Sequence, residues 1–175
     1  MGKGAFPASH PLNLGHVGMH GSKYANYAIT NADLLIAVGA RFSDRVTGKL
    51  ADFAPYAKVI HVDVDPAEIG KNRMPQIPIV GDAKVVLSGI EEQINAEHFE
   101  PITQEWLAQI NEWREAHPFY SPGLATPTGT ISPEGALDLL SDMLEQDNSI
   151  VTTEVGQHQM WAAQHIDRDV PRTFL

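Results

Sequence analysis

Leu34-Leu35-Ile36-Ala37-Val38-Gly39 is the stretch on which the fold turns. Five apolar residues in an unbroken run, closed by a glycine, suit a strand covered on both faces, as in a parallel sheet. The pattern returns downstream. Ala57 to Val64 sets Ile60, Val62 and Val64 in alternation with Val59 on the opposite face, and Ile77 to Val80 forms a short third strand that ends at Gly81. Asp82 then stands as the N-cap of a helix from Ala83 to Asn95 whose apolar face is Val86, Ile90 and Ile94. Upstream, Ser22 caps a short helix from Lys23 to Thr30. Strand, helix and strand in turn predict an α/β fold, a doubly wound parallel sheet with right-handed βαβ crossovers.

Outside this region the organisation changes. Residues 1 to 21 hold five glycines, three histidines and two prolines with no clear period, which predicts loop. An amphipathic helix is expected from about Ile102 to Glu115, with Trp106, Ile110 and Trp113 on one stripe. Pro118, Pro122 and Pro127 with Gly123 and Gly129 mark residues 117 to 132 as a linker. Ser132-Pro133-Glu134 starts a further helix, with its cap and a first-turn proline, running to about Glu145. The β-branched run Ile150 to Thr153 predicts a strand, followed by Val155-Gly156-Gln157-His158-Gln159-Met160-Trp161. A crossover helix and the next parallel strand need about a dozen residues or more, so the domain opened here is expected to continue past Leu175. The chain is thus expected to be a piece of something larger, with one domain over 1 to 116 and the start of another over 133 to 175.

Composition narrows the partners. Lys and Arg total 12 against 22 Asp and Glu, a formal charge of −10 with a pI of about 5.1. Without a basic run there is no electrostatic footprint for a nucleic acid or an anionic membrane surface. The sequence has no cysteine, which removes disulfides, thiolate metal sites and a cysteine nucleophile together. Its apolar runs fall far short of the roughly 20 residues of a membrane helix, and Met1-Gly2-Lys3-Gly4 lacks the apolar core of a signal peptide. A cytoplasmic or organelle-matrix location is expected.

Gly39-Ala40-Arg41 closes one expected strand and Asp63-Val64-Asp65 the next. In doubly wound sheets ligands sit outside the carboxyl ends of the strands, where a glycine admits a phosphate to the backbone and an acid accepts from ribose hydroxyls. The pair is spaced as a nucleotide site would be, yet G-x-G-x-x-G is absent, and an ordinary glycine turn with a capping acid remains open. Arg41, Arg45 and Lys49 could grip a phosphate or carboxylate, or be solvated charges paired with Asp44. His10, His16 and His20 match no zinc spacing, so no metal site is expected; His20 is better placed as a hydrogen-bonding loop residue beside a ligand. At Gly156-Gln157-His158 a glycine, two side-chain donors and a helix beginning near Gln159 favour an anion, against the alternative of a buried polar turn. No Ser-His-Asp or G-x-S-x-G arrangement is present.

Gly18-Met19-His20-Gly21, Tyr24-Ala25-Asn26-Tyr27-Ala28, Gly39-Ala40-Arg41-Phe42-Ser43-Asp44-Arg45-Val46-Thr47-Gly48-Lys49, His61-Val62-Asp63-Val64-Asp65-Pro66-Ala67-Glu68-Ile69-Gly70-Lys71-Asn72 and Val155 to Trp161 together resemble the catalytic large subunit of the acetohydroxyacid (acetolactate) synthase family. The resemblance covers nearly the whole chain in order. It implies a thiamine-diphosphate transferase of branched-chain amino acid biosynthesis, in which pyruvate is decarboxylated on the cofactor and the two-carbon unit adds to a second pyruvate or to 2-ketobutyrate. It also implies three domains, of which this chain holds the latter half of the central, Rossmann-like FAD-binding one, the linker, and the first turn of the thiamine-diphosphate-binding one. Met1 corresponds to an internal methionine in that family, so the start is expected to be a cut.

Residue by residue, the resemblance places Met1, Met19, His20, Gly39, Ala40, Arg41, Ser43, Arg45, Val46, Asp63, Val64, Asp82 and Ala83 against FAD, and Val155, Gly156, Gln157 and His158 against thiamine diphosphate. Arg45 further matches the arginine that positions the second ketoacid by its carboxylate, with Met19 lining that pocket; Ser43 stands where many members have aspartate. The flavin has no obligatory redox part there. The activating glutamate belongs to the first domain, and the Mg²⁺ ligands lie beyond Leu175. A homo-oligomer with a small regulatory subunit is implied as well. The rival readings are another thiamine-diphosphate carboligase or decarboxylase, such as glyoxylate carboligase, and a non-catalytic nucleotide-binding module.

Overall fold

The structure, a computed structural model, describes residues 2–120, 123–144 and 149–175. These pack as two compact units, Met1–Ala25 with Pro118–Leu175, and Asn26–His117.

The second unit is built on three strands, β1 (Leu34–Val38), β2 (Lys58–Asp63) and β3 (Ile77–Val80), paired in the order β1-β2-β3 and parallel throughout. Leu34 lies opposite Lys58, and Ile60 opposite Ile77. The α/β class and the parallel sheet expected from the sequence are therefore present. Helix α1 (Lys23–Asn31) follows the Ser22 hydroxyl, which accepts from the Ala25 N–H at 3.1 Å. A one-turn helix, α2 (Asp44–Thr47), follows β1, and α3 (Ala83–Ala96) follows β3. Asp82 caps α3 as expected, its carboxylate accepting from the N–H groups of Lys84 and Val85. Helix α4 (Gln104–Ala116) buries Ile110 and sets Trp113 edge-on to both Trp106 and Tyr27, at 5.7 and 5.8 Å between ring centroids.

Two expectations need correction. The core of this unit, Ala37, Phe42, Phe53, Ala54, Ala57 and Val59 with Ile29, Leu35 and Val46 against it, covers only one face of β1. On the other face Leu34, Ile36 and Val38 are 49, 46 and 36 % exposed, because among the described residues nothing comparable packs over them. The crossovers also differ from the regular βαβ pattern. The β1–β2 connection holds only α2 and a short 3-10 turn at Leu50–Asp52, and residues 64–76 between β2 and β3 carry turns and bends. Pro66, Gly70 and Pro75 in that connection explain why it does not wind into a helix.

In the first unit, α5 (Pro133–Met143) begins on Ser132, whose hydroxyl accepts from the Gly135 N–H at 2.9 Å. The expected end at Glu145 lies outside the described residues. Helix α6 (Gln157–His165) packs on α5 through Ala162, Ile166 and Leu137, and His165 Nδ1 pairs with Asp138 Oδ1 at 2.8 Å. The strand expected at Ile150 to Thr153 is reduced to a single parallel bridge, Val151 with Phe174, since its backbone finds only the 173–175 segment as partner. The buried Arg168 fastens that pairing, its Nε donating to Thr173 Oγ1 at 3.0 Å and its Nη2 to the Ser149 carbonyl. The N-terminal loop lies in this same unit. Lys3 Nζ donates to the Ala163 carbonyl at 2.5 Å, Ser9 N–H to Asp169 Oδ1 at 2.9 Å and Gln164 Nε2 to the His20 carbonyl at 2.6 Å.

Candidate functional site

The carboxyl edge of the sheet collects most of the residues expected against a nucleotide cofactor. Gly39 follows β1, Asp63 ends β2, and Gly81 and Asp82 follow β3. Register makes them neighbours: the Gly39 N–H donates to the Val62 carbonyl at 2.8 Å, and the Gly81 N–H to the Asp63 carbonyl at 3.0 Å. Gly39 adopts φ 62°, a conformation side chains disfavour, and a Cβ there would meet open space, so its backbone is approachable. Ala40, Arg41, Ser43 and Arg45 are exposed, as are Val64, Asp82 and Ala83, whereas Val46 is turned toward the core. Asp63 is half-buried, and one of its carboxylate oxygens accepts from the Asp65 N–H at 2.9 Å. Lys49 pairs with Asp52 at 2.9 Å rather than with Asp44, and among the described residues no ion pair ties Asp44 to Arg41 or Arg45. Both guanidinium groups stay available to an anion at this edge.

The other expected residues belong to the first unit. Met19 is 62 % exposed and His20 is half-buried in the loop held by Gln164, while Met1 lies outside the described residues. Helix α6 starts at Gln157, two residues earlier than expected, with Gly156 as its N-cap. That shift changes the chemistry of the turn. Gln157 and His158 occupy the first helical turn, so their backbone N–H groups join their side chains as donors at the positive end of the helix. Both residues are exposed, and so is Val155. Gly156 is extended, at φ 164°, and its backbone conformation would admit any residue; a Cβ there would instead stand 2.9 Å from His158 Nδ1.

Among the described residues no group of three His, Cys, Asp or Glu side chains is placed to hold a metal ion. His10 packs edge-on to Phe6 at 4.9 Å and its Nδ1 accepts from the Leu12 N–H. Burial pulls the Lys3 ammonium below its ordinary value, with Asp167 opposing. No helix of the described residues is long and apolar enough to cross a membrane.

Two residues that shape the sheet edge carried no assigned role in the sequence reading. His61 is fully buried on β2 with its Nε2 2.9 Å from the Ala40 carbonyl, and Asn72 Nδ2 donates to the Arg41 carbonyl at 2.9 Å. A signal existed for the first. His61 stands between Ile60 and Val62 at an inward strand position, where an imidazole has to be held by a partner.

A parallel sheet with an approachable glycine, exposed arginines and strand-terminal acids along its carboxyl edge is an α/β fold of the class whose ligands sit outside the strand ends. Residues 1–90 match the family model described as thiamine pyrophosphate enzyme, central domain, and the chain belongs to that family. Among its relatives it is 49 % identical over 175 residues to the acetolactate synthase large subunit of Parasynechococcus marenigrum, covering 100 % of this chain and 27 % of that one. The probable acetolactate synthase large subunit of Methanocaldococcus jannaschii is 48 % identical over 180 residues, with 100 % and 30 % covered, and the large subunit of Pyropia yezoensis 50 % over 169, with 95 % and 28 %. The chain thus spans between a quarter and a third of the length of these relatives.

Proposed function

We propose that this chain is part of an acetolactate synthase catalytic subunit, holding FAD at the carboxyl edge of its sheet and the diphosphate of thiamine diphosphate at the start of α6. The convergence of Gly39–Ser43, Asp63 and Asp82 on one sheet edge supports this reading most strongly, within a sequence alike to acetolactate synthases along its length. The domain division proposed is a central domain over 1–116, a linker over 117–132 and a thiamine-diphosphate domain from 133.

The residues fit both groups. The exposed Gly39-Ala40-Arg41 backbone with Ser43, Arg45 and Val46 would take the flavin nucleotide's phosphates and sugar, with Asp63, Val64, Asp82 and Ala83 beside them; Met1, Met19 and His20 are proposed as flavin residues on the family resemblance alone. Val155 to His158 would bind a diphosphate through the N–H groups and side chains at the α6 start. Thiamine diphosphate, when bound with Mg²⁺, supplies the carbon chemistry, and the protein supplies orientation and charge. Arg45 would fix the carboxylate of the acceptor ketoacid, pyruvate or 2-ketobutyrate, by a planar two-pronged grip that orients its keto carbon; Met19 is proposed as an acceptor-pocket residue on the family resemblance alone. The intact subunit would work as a homo-oligomer with a regulatory subunit, in the cytoplasm or an organelle matrix.

Titration of the full-length subunit with each cofactor tests the assignment. Gln157→Ala and His158→Ala should each weaken thiamine diphosphate binding by about one to two decades, the worth of a hydrogen bond to a charged group, and leave flavin binding unchanged. Unaltered thiamine diphosphate curves for both variants would reduce that turn to a structural one.

A further inference from the structure

We propose that His61 and Asn72 are positioning residues for the cofactor loop: they tie down the carbonyls of Ala40 and Arg41, one from the core and one from the surface, and so fix the next two N–H groups, of Arg41 and Phe42, toward the ligand. The inference rests on the flavin reading for the identity of that ligand, though not for the geometry of the loop.

A carbonyl can only accept, so the 2.9 Å contact between His61 Nε2 and the Ala40 oxygen places the ring proton on Nε2. The ring's place is set by packing. It is fully buried, meets Phe42 edge-on at 5.0 Å, and Phe42 meets Phe53 in turn at 6.0 Å. Its Nδ1 has no hydrogen-bond partner among the described residues, so the Ala40 carbonyl is the contact that accounts for an imidazole at this position. Asn72 reaches back from the β2–β3 connection to take the following carbonyl, that of Arg41.

In a trans peptide the C=O and the next residue's N–H lie in one plane and point in opposite directions. With the Ala40 and Arg41 carbonyls held by His61 and Asn72, the N–H groups of Arg41 and Phe42 point the other way, and neither meets an acceptor among the described residues. Successive outward N–H groups form an anion-binding concavity. The loop needs the clamps because two of its residues, Gly39 at φ 62° and Phe42 at φ 49°, sit in the left-handed region, and Phe42 does so at a cost of about 1 kcal/mol or more. Neither His61 nor Asn72 has to touch the flavin.

The test uses the full-length subunit and three substitutions. His61→Phe keeps a ring and loses the donor, Asn72→Asp keeps the shape and loses the donor, and His61→Gln offers an amide donor in place of the imidazole. Flavin and thiamine diphosphate dissociation constants, the thermal midpoint and the rate of tryptic cleavage at Arg41 in flavin-free protein are measured on each. His61→Phe and Asn72→Asp should raise the flavin dissociation constant about five- to tenfold, the worth of one net hydrogen bond. Thiamine diphosphate affinity should hold, cleavage at Arg41 should quicken, and His61→Gln should recover most of both losses. Flavin and thiamine diphosphate affinities falling together with the thermal midpoint would make these residues merely structural and overturn the proposal, as would unchanged flavin binding with unchanged cleavage. If the wild-type subunit binds no flavin, the flavin reading fails on its own, and Arg41 cleavage alone then decides the positioning claim.

Discussion

Adding one methyl group at Gly156 isolates the role of His158 in holding a diphosphate. The backbone of Gly156, at φ 164° and ψ −175°, is ordinary extended chain, so alanine brings no conformational penalty of the left-handed kind. Its Cβ would arrive 2.9 Å from Nδ1 and 3.0 Å from Cε1 of His158, too close for the imidazole to keep its place. The ring is exposed and can swing away, at about 0.5 to 1.5 kcal/mol of rotamer energy at most. Folding stability should therefore fall by about 1 to 2 kcal/mol, the swing of the ring plus the poorer N-cap. The cofactor bears the larger effect. Losing a donor to a charged diphosphate is worth about 1.5 to 3 kcal/mol, a rise of roughly ten- to a hundredfold in the thiamine diphosphate dissociation constant. Calorimetric titration of full-length Gly156→Ala, His158→Ala and the double variant gives a mutant cycle. Because the methyl acts through the imidazole, the double variant should bind no worse than His158→Ala alone. Strictly additive losses would refute that reasoning, and so would a Gly156→Ala curve that overlays the wild type.

Further outcomes are expected. Arg45→Lys and Arg45→Gln should each impair carboligation more than decarboxylation, so that acetaldehyde rises relative to acetolactate; an unchanged product ratio at intact flavin content leaves Arg45 a surface charge. Asp82→Ala should lower stability to urea by about 1 kcal/mol through loss of the α3 cap, while Asp82→Asn restores it and so shows whether the carboxylate's charge matters separately to flavin binding. The Ser9 N–H, followed by the Ser9 side chain, holds the Asp169 carboxyl below its ordinary value. A carboxylate whose folded value is lowered contributes stability that is complete above the unfolded carboxylate range and lost as pH falls through the folded value. Asp169→Ala should therefore flatten the acid limb of a stability–pH curve and leave the alkaline limb as it was. The 175-residue chain alone should form no acetolactate, since it spans less than a third of the relatives that carry that name.

The sheet was legible in the sequence because strands and caps are local. Leu34–Val38 and Ile77–Val80 match the runs read from hydrophobicity, and Ser22, Asp82 and Ser132 cap the helices they were expected to cap. What covers a strand is not local. Leu34, Ile36 and Val38 are apolar enough for burial on both faces, yet the residues that pack on β1 reach only the side of Leu35 and Ala37. A β-branched run such as Ile150 to Thr153 likewise states a preference for extended chain, and the ladder it forms depends on partners distant in sequence. At the sheet edge, Gly39, Arg41 and Asp63 announced themselves by residue type and by their place after apolar runs. Asn72 did not, and His61 signalled only that its imidazole needs a partner, because what each residue does depends on which carbonyl it meets, 31 and 21 residues away.

The most direct test of the account is to supply the full-length subunit with FAD, thiamine diphosphate, Mg²⁺ and carbon-labelled pyruvate and follow the products by nuclear magnetic resonance. Acetolactate carrying label from two pyruvates, formed only when both organic cofactors are present, is the predicted result. Acetaldehyde or acetoin in its place, or acetolactate formed at an undiminished rate without flavin bound, would contradict it.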